Sequence, residues 1–294
     1  MTARLCAMRV LETHPRISVV TPSLNQGEFL ETTLRSVIAQ RYPALEYIVV
    51  DGGSTDGSVG IIERYEADIT HWVSEPDRGH ADALNKGFAR TTGEIMCWIN
   101  SSDLHYPWTL ATVAEIFTQF PQVEWISGTG SMFDEGGRLR VVVSSPGVNL
   151  YDVLAGDYRG IQQESVFWRR SLWERAGGRL DDSLTYAADL DLWLRFFRHA
   201  RLYQVETLLG GFRVHEDRLG KAGGDMYARQ AEELQTRFVA GWDRRTLVRA
   251  RLVRLIRGGW RKRITEKLGR VSVLPWYRHP RLWFDFDRSE WVLR

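Results

Sequence analysis

Residues 48–58 read IVVDGGSTDGS, an apolar run rich in β-branched residues that ends in an acid and a glycine-rich turn. In an open α/β sheet, ligands bind just past the carboxyl ends of the strands. Asp51 stands at that point, and the glycines after it let the backbone approach a ligand closely. A simpler interpretation is a strand, an Asx-type turn and a helix that begins at Ser58, with no ligand. Taken alone, the stretch favours the simpler interpretation.

Strand-like and helix-like runs alternate on both sides of this stretch. Strand patterns cover Arg16–Thr21, Glu46–Asp51, Ile69–Ser74, Ile95–Ile99 and Val123–Ser127. Helical patterns cover Gly27–Ala39, Ser58–Tyr65, His80–Arg90 and Pro107–Phe120. This alternation predicts an α/β fold with a Rossmann-like, mostly parallel, doubly wound sheet.

The second half of the chain is less regular. Gly136 and Gly137 predict a hairpin turn into a strand over Leu139–Val143. Residues 161–170 contain a strand-like piece, Leu190–His199 is helical, and Leu209–Val214 is a further short strand.

Length and composition indicate an ordinary globular protein. The chain has 294 residues, of which 44% are hydrophobic, enough for one large domain and an appendage. Cys6 and Cys97 suggest no disulfide framework, so we expect a reducing, cytoplasmic compartment. Residues 1–14 are expected to be an N-terminal extension without the apolar core of a signal peptide.

The charge is distributed unevenly along the chain. Residues 241–294 carry 15 Lys and Arg against 5 Asp and Glu, a net charge of +10. The remainder carries 24 basic and 32 acidic residues, a net charge of −8. This change in composition predicts a domain over residues 15–240 and a basic, Trp-containing helical tail over residues 241–294.

The tail has an imperfect amphipathic pattern over Arg244–Arg263. One side gathers apolar residues and the other arginines: Val248, Leu252, Leu255, Ile256 and Trp260 against Arg251, Arg254 and Arg257. One interpretation is a helix packed on the body with solvated arginines. The other is adhesion to an anionic membrane face. The pattern leaves both open; it is not typical of a nucleic-acid site, because no recognised module accompanies it.

Polar residues follow several of the predicted strands. Thr21 to Asn25, Asp51, Glu75 with Asp77, and Asn100 to Asp103 each come directly after one of them. Such residues at successive strand ends describe a ligand crevice rich in oxygen ligands. This crevice suits a hard divalent ion, Mg²⁺ or Mn²⁺, bound together with substrate phosphates.

Several motifs in register resemble those of family 2 glycosyltransferases, which have the GT-A fold. The matching segments are residues 19–25, 36–43, 48–58, 74–87, 93–95, 98–103 and 189–195. They cover roughly residues 15–215 in the right order, which is far more specific than any one of them alone.

The resemblance implies a role for each matching position. Thr21, Pro22 and Asn25 would form the first nucleotide-binding loop, and Asp51 would meet the base. Asp82, Asn85 and Lys86 would bind the ribose or the donor sugar. The implied activity is transfer of a sugar from a nucleoside-diphosphate sugar to a hydroxyl acceptor with inversion, in surface polysaccharide or lipid-linked glycan synthesis at the inner membrane face.

The resemblance also assigns the reacting end of the site. Asp103 would hold the metal on the diphosphate, and His215 would reach the diphosphate or the metal. Asp189 would be the general base, whereas the pattern alone also allows an acid that caps the following helix. Gln163 and Glu164 resemble an acceptor-side segment, which would contact the acceptor or the donor sugar; a structural loop is the alternative. Asp191 is a further acceptor-side candidate, although its spacing of two residues from Asp189 favours a role in capping or bracing the helix.

Two departures from the family pattern bear on activity. Ser102 stands where the family commonly has an acid, so metal binding rests on Asp103 alone. Ala188 stands where the family usually has Glu, directly before Asp189. These departures keep open a second hypothesis, a catalytically weak nucleotide- or glycan-binding protein on the same scaffold. A nucleotidyltransferase is disfavoured because no Gly-rich, Lys-bearing phosphate loop occurs early in the chain.

Overall fold

A computed structural model describes residues 14–143, 147–158, 160–215, 219–255, 277 and 279–294. Its strands are β1 (Ile17–Ser23), β2 (Leu45–Asp51), β3 (His71–Ser74), β4 (Ile95–Trp98), β5 (Leu104–His105), β6 (Trp125–Ser127), β7 (Gly130–Phe133), β8 (Leu139–Val143), β9 (Val166–Arg169), β10 (Leu202–Val205), β11 (Gly210–Arg213), β12 (Arg281–Asp285) and β13 (Glu290–Leu293). Its helices are α1 (Gly27–Ile38), α2 (Ser58–Arg64), α3 (His80–Phe88), α4 (Thr109–Gln119), α5 (Leu150–Leu154), α6 (Arg170–Arg175), α7 (Ala188–Phe196), α8 (Leu219–Ala240) and α9 (Arg244–Leu255).

The main sheet has nine strands in the order β13-β12-β10-β6-β9-β4-β1-β2-β3. Most neighbouring strands are parallel, and β9 lies antiparallel between β4 and β6. The predicted mostly parallel α/β sheet is therefore confirmed. The apolar runs of β1, β2 and β4 are buried, as expected for central strands covered on both faces.

A second, smaller sheet has the order β5-β11-β7-β8. The β7–β8 hairpin confirms the turn predicted at Gly136 and Gly137, where Gly137 has a positive φ of 74°. The pairing of β11 with β5 brings the end of β11 next to the loop that follows β4. The later part of the chain therefore lies next to the strand ends at which the sequence predicts a ligand crevice.

The last residues of the chain depart from the predicted helical tail. Helix α9 lies within the predicted span, but β12 pairs in parallel with β10, and β13 closes the edge as an antiparallel neighbour of β12. The tail is thus not helical throughout, because its final segment completes the main sheet. Residues 256–276, which include most of the second half of the predicted helix, lie outside the described residues, and the domain boundary near residue 240 stays a prediction.

An aromatic cluster fills the core between the main sheet and α7. Trp98, Trp125, Trp168, Trp193 and Phe196 are all almost fully buried, which agrees with core packing rather than sugar stacking. Trp98 on β4 and Trp193 on α7 stack with a centroid separation of 5.5 Å and an angle of 10° between their planes. The cluster fixes α7 against the strand that leads into the predicted metal loop.

Among the residues that the structure describes, no helix combines the length and the apolar character needed to cross a bilayer.

Candidate active site

The loop after β2 is organised by the carboxylate of Asp51. The backbone amides of Gly53 and Ser54 donate to Oδ2 at 3.0 and 2.8 Å, and the hydroxyl of Ser74 donates to the same atom at 2.7 Å. The hydroxyl of Ser54 donates to Oδ1 at 2.5 Å. Asp51 is fully buried. Its hydrogen bonds to Gly53 and Ser54 hold the Asx-type turn that the sequence suggested. Its contact with a nucleotide base stays a prediction.

The loops that follow β1 and β2 lie against each other. The side-chain oxygen of Asn25 accepts a hydrogen bond from the backbone amide of Thr55 at 2.9 Å, and the Asn25 amide donates to the Ser54 hydroxyl at 2.8 Å. Asn25 has a φ of 49°, a left-handed conformation that Asn tolerates. The structure therefore brings this part of the predicted nucleotide loop to the turn at Asp51.

Thr21 and Pro22 lie inside β1 rather than in the loop that follows it. Both are buried, and the hydroxyl of Thr21 shares a hydrogen bond of 2.9 Å with the hydroxyl of Tyr47. These two buried residues lie in the strand that leads into the loop. Their direct contact with a nucleotide stays a prediction.

Helix α3 presents Asp82, Asn85 and Lys86. Asp82 is buried and accepts from the guanidinium of Arg78 at 2.6 Å, which lowers the pKa of Asp82. Lys86 forms an ion pair of 2.8 Å with Glu75, the residue directly after β3. These two residues lie beside the loop that continues from β3.

Asn85 has a different environment. Its amide donates to the backbone oxygen of Leu180 at 3.0 Å, and its side-chain oxygen accepts from the Leu180 amide at 2.8 Å. This paired contact fixes the loop before α7 to α3. Binding of ribose or donor sugar by Asp82, Asn85 and Lys86 stays a prediction.

Asp103 is a fully buried acid in the loop after β4. Its Oδ1 accepts from the backbone amide of Arg213 at 2.9 Å, and its Oδ2 accepts from the side-chain amide of Asn100 at 3.1 Å. Burial raises the pKa of Asp103 to about 7, against the lowering effect of these hydrogen bonds. The oxygen of Asn100 is in turn 2.8 Å from Nε2 of His80, at the start of α3.

Gln163 and Glu164 lie beside this loop in a 3₁₀ turn over Gln163–Ser165. Gln163 donates to the backbone oxygen of Trp98 at 2.7 Å and accepts from Asn100 at 3.0 Å. Glu164 is buried, and its Oε1 accepts no hydrogen bond from any described residue. Burial, and then the negative charges of Asp103 and Asp189, raise the pKa of Glu164 well above its usual value.

Asp189 occupies the first turn of α7 and is partly buried. Its Oδ1 accepts from the Leu190 amide at 2.7 Å, so it also stabilises the helix start. Burial nevertheless raises the pKa of Asp189 to about 6. Asp191 is instead paired with Arg195 at 2.8 Å on the same helix, a bracing contact.

The residues near Asp103 fit a divalent cation that is bound jointly with a diphosphate. Burial raises the pKa of both Asp103 and Glu164, the charge of Asp103 further raises that of Glu164, and a nearby cation would favour the ionised form of Asp103. No group of three or more His, Cys, Asp and Glu side chains among the described residues forms a complete metal cage. One or two carboxylates are sufficient when phosphate oxygens supply the other ligands. His215 is buried and packs on Phe29 with a centroid distance of 4.7 Å, and its contact with the metal or diphosphate stays a prediction.

The structure adds two supporting residues that carry no sequence signal. Arg213, two residues before His215, is buried and donates through Nε to the backbone oxygen of Ser102 at 2.7 Å. Gln230 on α8 accepts from the backbone amides of Tyr186 and Ala187 at 3.0 and 3.2 Å, three and two residues before Asp189. Neither residue belongs to a motif, so only the tertiary contacts reveal their positions.

Comparison with known sequences agrees with this geometry. The sequence profile of glycosyl transferase family 2 matches residues 18–207. An uncharacterised glycosyltransferase of Mycobacterium tuberculosis is 35% identical over 183 residues, which are 62% of this chain and 68% of that protein. An uncharacterised glycosyltransferase of Rickettsia typhi is 26% identical over 213 residues, 69% of this chain and 65% of its own length.

Solved structures agree with the fold. S. aureus TarS 1-349 in complex with UDP-GlcNAc superposes with a TM-score of 0.63 at 16% identity, over 86% of this chain and 76% of that chain. The mannosyltransferase PcManGT from Pyrobaculum calidifontis, in complex with GDP-Man and Mn²⁺, gives a TM-score of 0.59 at 22% identity, over 81% and 69% of the two chains. The motifs, the sheet order and these similarities lead to one conclusion: the chain is a glycosyltransferase that belongs to glycosyl transferase family 2 and has the GT-A fold.

Proposed function

We propose that this glycosyltransferase transfers a sugar, with inversion, from a nucleoside-diphosphate sugar to a hydroxyl of a surface polysaccharide or a lipid-linked glycan at the inner face of the membrane. One observation carries the proposal. Besides burial, the charges of Asp103 and Asp189 both raise the pKa of Glu164, so both acids lie within electrostatic reach of this one buried side chain. A base for the acceptor and a carboxylate for the diphosphate end would therefore lie in the same crevice.

Asp189 is suited to the role of general base. Inverting transfer is a single in-line displacement, and a carboxylate must take the proton from the acceptor hydroxyl. A pKa of about 6 leaves Asp189 largely ionised at neutral pH and more basic than an ordinary Asp. The hydrogen bond from the Leu190 amide fixes the orientation of this carboxylate at the start of α7.

Asp103 is suited to the diphosphate end. With His215 as a second candidate, it would hold Mg²⁺ or Mn²⁺, which would neutralise the charge on the leaving diphosphate. The hydrogen bonds from Arg213 and Asn100 keep the Asp103 carboxylate in place before donor arrives. Each carboxylate oxygen of Asp103 already accepts one hydrogen bond. The second lone pair of each oxygen would remain available to a metal ion.

The remaining candidate site residues belong to the donor side or the acceptor side of the crevice. The loops at Asn25 and Asp51 lie together and would receive the nucleotide, with Thr21 and Pro22 beneath them. Asp82 and Lys86 would meet the ribose or the donor sugar. Gln163 and Glu164 would lie toward the acceptor, while Asp191 is engaged by Arg195.

The test is release of nucleoside diphosphate by the purified protein. UDP- and GDP-sugars with Mn²⁺ are the first donors to try, because the similar structures are complexes with UDP-GlcNAc and GDP-Man. We expect release with one donor and its loss in Asp189→Asn, with Asp191→Asn as the matched control. Nucleotide binding without release, unaffected by Asp189→Asn, would instead support a binding protein on this scaffold.

A further inference from the structure

Helix α9 turns its most apolar face away from the body. Val248, Leu252 and Leu255 are 54%, 41% and 70% exposed, respectively. They are spaced at i, i+4 and i+7, so they form one continuous stripe on the helix. Ordinary packing of an amphipathic helix would bury such a stripe.

The opposite face of α9 is the one that packs. Ala250 and Val253 are almost fully buried, and α9 lies against α5. Val248 is about 200° around the helix from Ala250, at about 100° per residue. The helix is anchored to the protein through Leu247, Ala250 and Val253, whereas Val248, Leu252 and Leu255 remain exposed.

Arginines surround the exposed stripe. Arg244 and Arg251 lie one turn before Val248 and Leu255, and Arg245 lies on the same side of the helix. Arg251 therefore flanks the stripe, and its expected position opposite the apolar residues was wrong, because residues four apart share one face of a helix. All three arginines are exposed, and no ion pair of theirs occurs within the described residues. Their long aliphatic stems let the guanidinium groups extend beside apolar neighbours toward anionic groups.

From this arrangement we infer that the face of α9 formed by Val248, Leu252, Leu255 and these arginines binds the surface of an anionic lipid bilayer. An apolar stripe flanked by basic residues is the pattern of helices that lie in the plane of the membrane interface. Phosphate headgroups complement the arginines, and the acyl boundary receives the three apolar side chains. The net charge of +10 over residues 241–294 strengthens this attraction.

The inference goes beyond the proposed transfer reaction and does not rest on it. It concerns a surface whose residues take no part in the predicted catalytic or donor sites. A protein that binds membranes without transferring sugar, or the reverse, would separate the two conclusions.

The experiment is cosedimentation of the full chain with lipid vesicles. We expect binding to phosphatidylcholine vesicles that contain phosphatidylglycerol and none to phosphatidylcholine alone, with binding that weakens as NaCl screens the charges. Leu252→Asp and Leu255→Asp should each weaken binding about tenfold, because a Leu side chain is no longer buried in the interface. Arg251→Gln should weaken it about fivefold.

Matched controls lie on α8. Met226 is 54% exposed, and Arg229 is also exposed. Met226→Asp and Arg229→Gln therefore make the same kinds of substitution on a helix outside the proposed face. We expect both controls to bind vesicles like the unaltered protein, and all five variants to keep its thermal unfolding temperature.

Three results would overturn the inference. The first is equal binding to vesicles with and without phosphatidylglycerol. The second is equal loss of binding in the α8 controls. The third is self-association in solution that Leu252→Asp and Leu255→Asp abolish while vesicle binding is unchanged, which would assign the face to a second copy of the chain.

Discussion

The indole rings of Trp98 and Trp193 stack in the core, with centroids 5.5 Å apart and planes 10° apart. Trp98 ends β4, which leads to Asp103, and Trp193 lies one turn beyond Asp189 on α7. The stack therefore connects the two ends of the predicted reaction site through the core. Because protein interiors are densely packed, we expect a change at this contact to alter the placement of both acids.

Trp193→Ala should destabilise the protein by about 3–5 kcal/mol, because it opens a large cavity in the aromatic cluster. Denaturant unfolding measures this loss. Trp193→Phe should lose less stability and keep measurable transfer. Trp108, which is 46% exposed, is the control: Trp108→Ala with an equal loss would show that any tryptophan is equally important.

Gln230→Ala should lower kcat more than it raises KM for the donor. The side chain of Gln230 orients the backbone just before Asp189, while the predicted donor contacts lie elsewhere. We expect a loss of about tenfold, smaller than the roughly 10²-fold low end for complete loss of a general base, because the base is displaced and not removed. Gln235→Ala is the matched control, since Gln235 lies on the same helix but donates to Val153 of α5. Equal effects in both variants would contradict a positioning role for Gln230.

Asp189→Asn should reduce transfer by about 10²-fold or more, because the acceptor proton would lose its base. In the unaltered protein, transfer should fall about tenfold for each pH unit below 6, as Asp189 becomes protonated. The pH profile of kcat for Asp191→Asn should keep the same decrease below pH 6. If Asp189→Asn also keeps this decrease, the group that titrates near pH 6 is not Asp189.

The same raised pKa predicts the pH dependence of stability. The pKa of Asp189 is about 6 in the folded protein and about 3.9 in an unfolded chain. The folded state therefore holds the proton more tightly, so this contribution to stability is complete below pH 4 and is lost as pH rises through 6. Asp189→Asn should raise the unfolding temperature at pH 8 and have little effect at pH 4. A stabilisation that is equal at both values would contradict burial as the cause.

Asp103→Asn should remove the metal-dependent part of donor binding, by about tenfold or more, while the protein stays folded. An Asn side-chain oxygen still accepts from the Arg213 amide, but the negative charge is lost. Calorimetry with and without Mn²⁺ measures this difference. Ser102→Asp is the informative partner, because it restores the acid that the family commonly carries and should increase the affinity for Mn²⁺. Donor binding that is indifferent to metal in all three proteins would remove the metal from the proposal.

Asp51→Ala should destabilise the protein by about 2 kcal/mol, because the partly buried backbone donors of Gly53 and Ser54 lose their acceptor. Ser74→Ala removes one donor and keeps the acid, so its expected cost is about 1 kcal/mol. Thermal unfolding and nucleotide affinity should be measured together at a temperature at which both variants are folded. If Asp51 only shapes the loop, the loss of nucleotide affinity will follow the loss of stability in both variants.

The sequence by itself determined the type and order of the elements from β1 to β4 and of α4, β6, β8, β9, α7 and β11, because strands and helices are encoded in local periodicity and local turn residues. It did not predict the short elements β5, α5 and α6, or the strand β10. It also identified the acids at strand ends, since the carboxyl ends of parallel strands meet at one edge of a sheet. Bounds differ by a few residues, as for the strand predicted over Arg16–Thr21 and observed as Ile17–Ser23.

Only the tertiary structure decided which distant segments meet. The Arg213 amide reaches Asp103 across 110 residues of chain, and β12 joins β10 at the end of the sheet instead of extending a helical tail. It also decided that α9 packs through Ala250 and Val253 and exposes Leu255, a choice between two faces that the helical pattern left open. These outcomes depend on non-local packing and hydrogen bonding, and local sequence patterns carry no information about which distant partner is nearest.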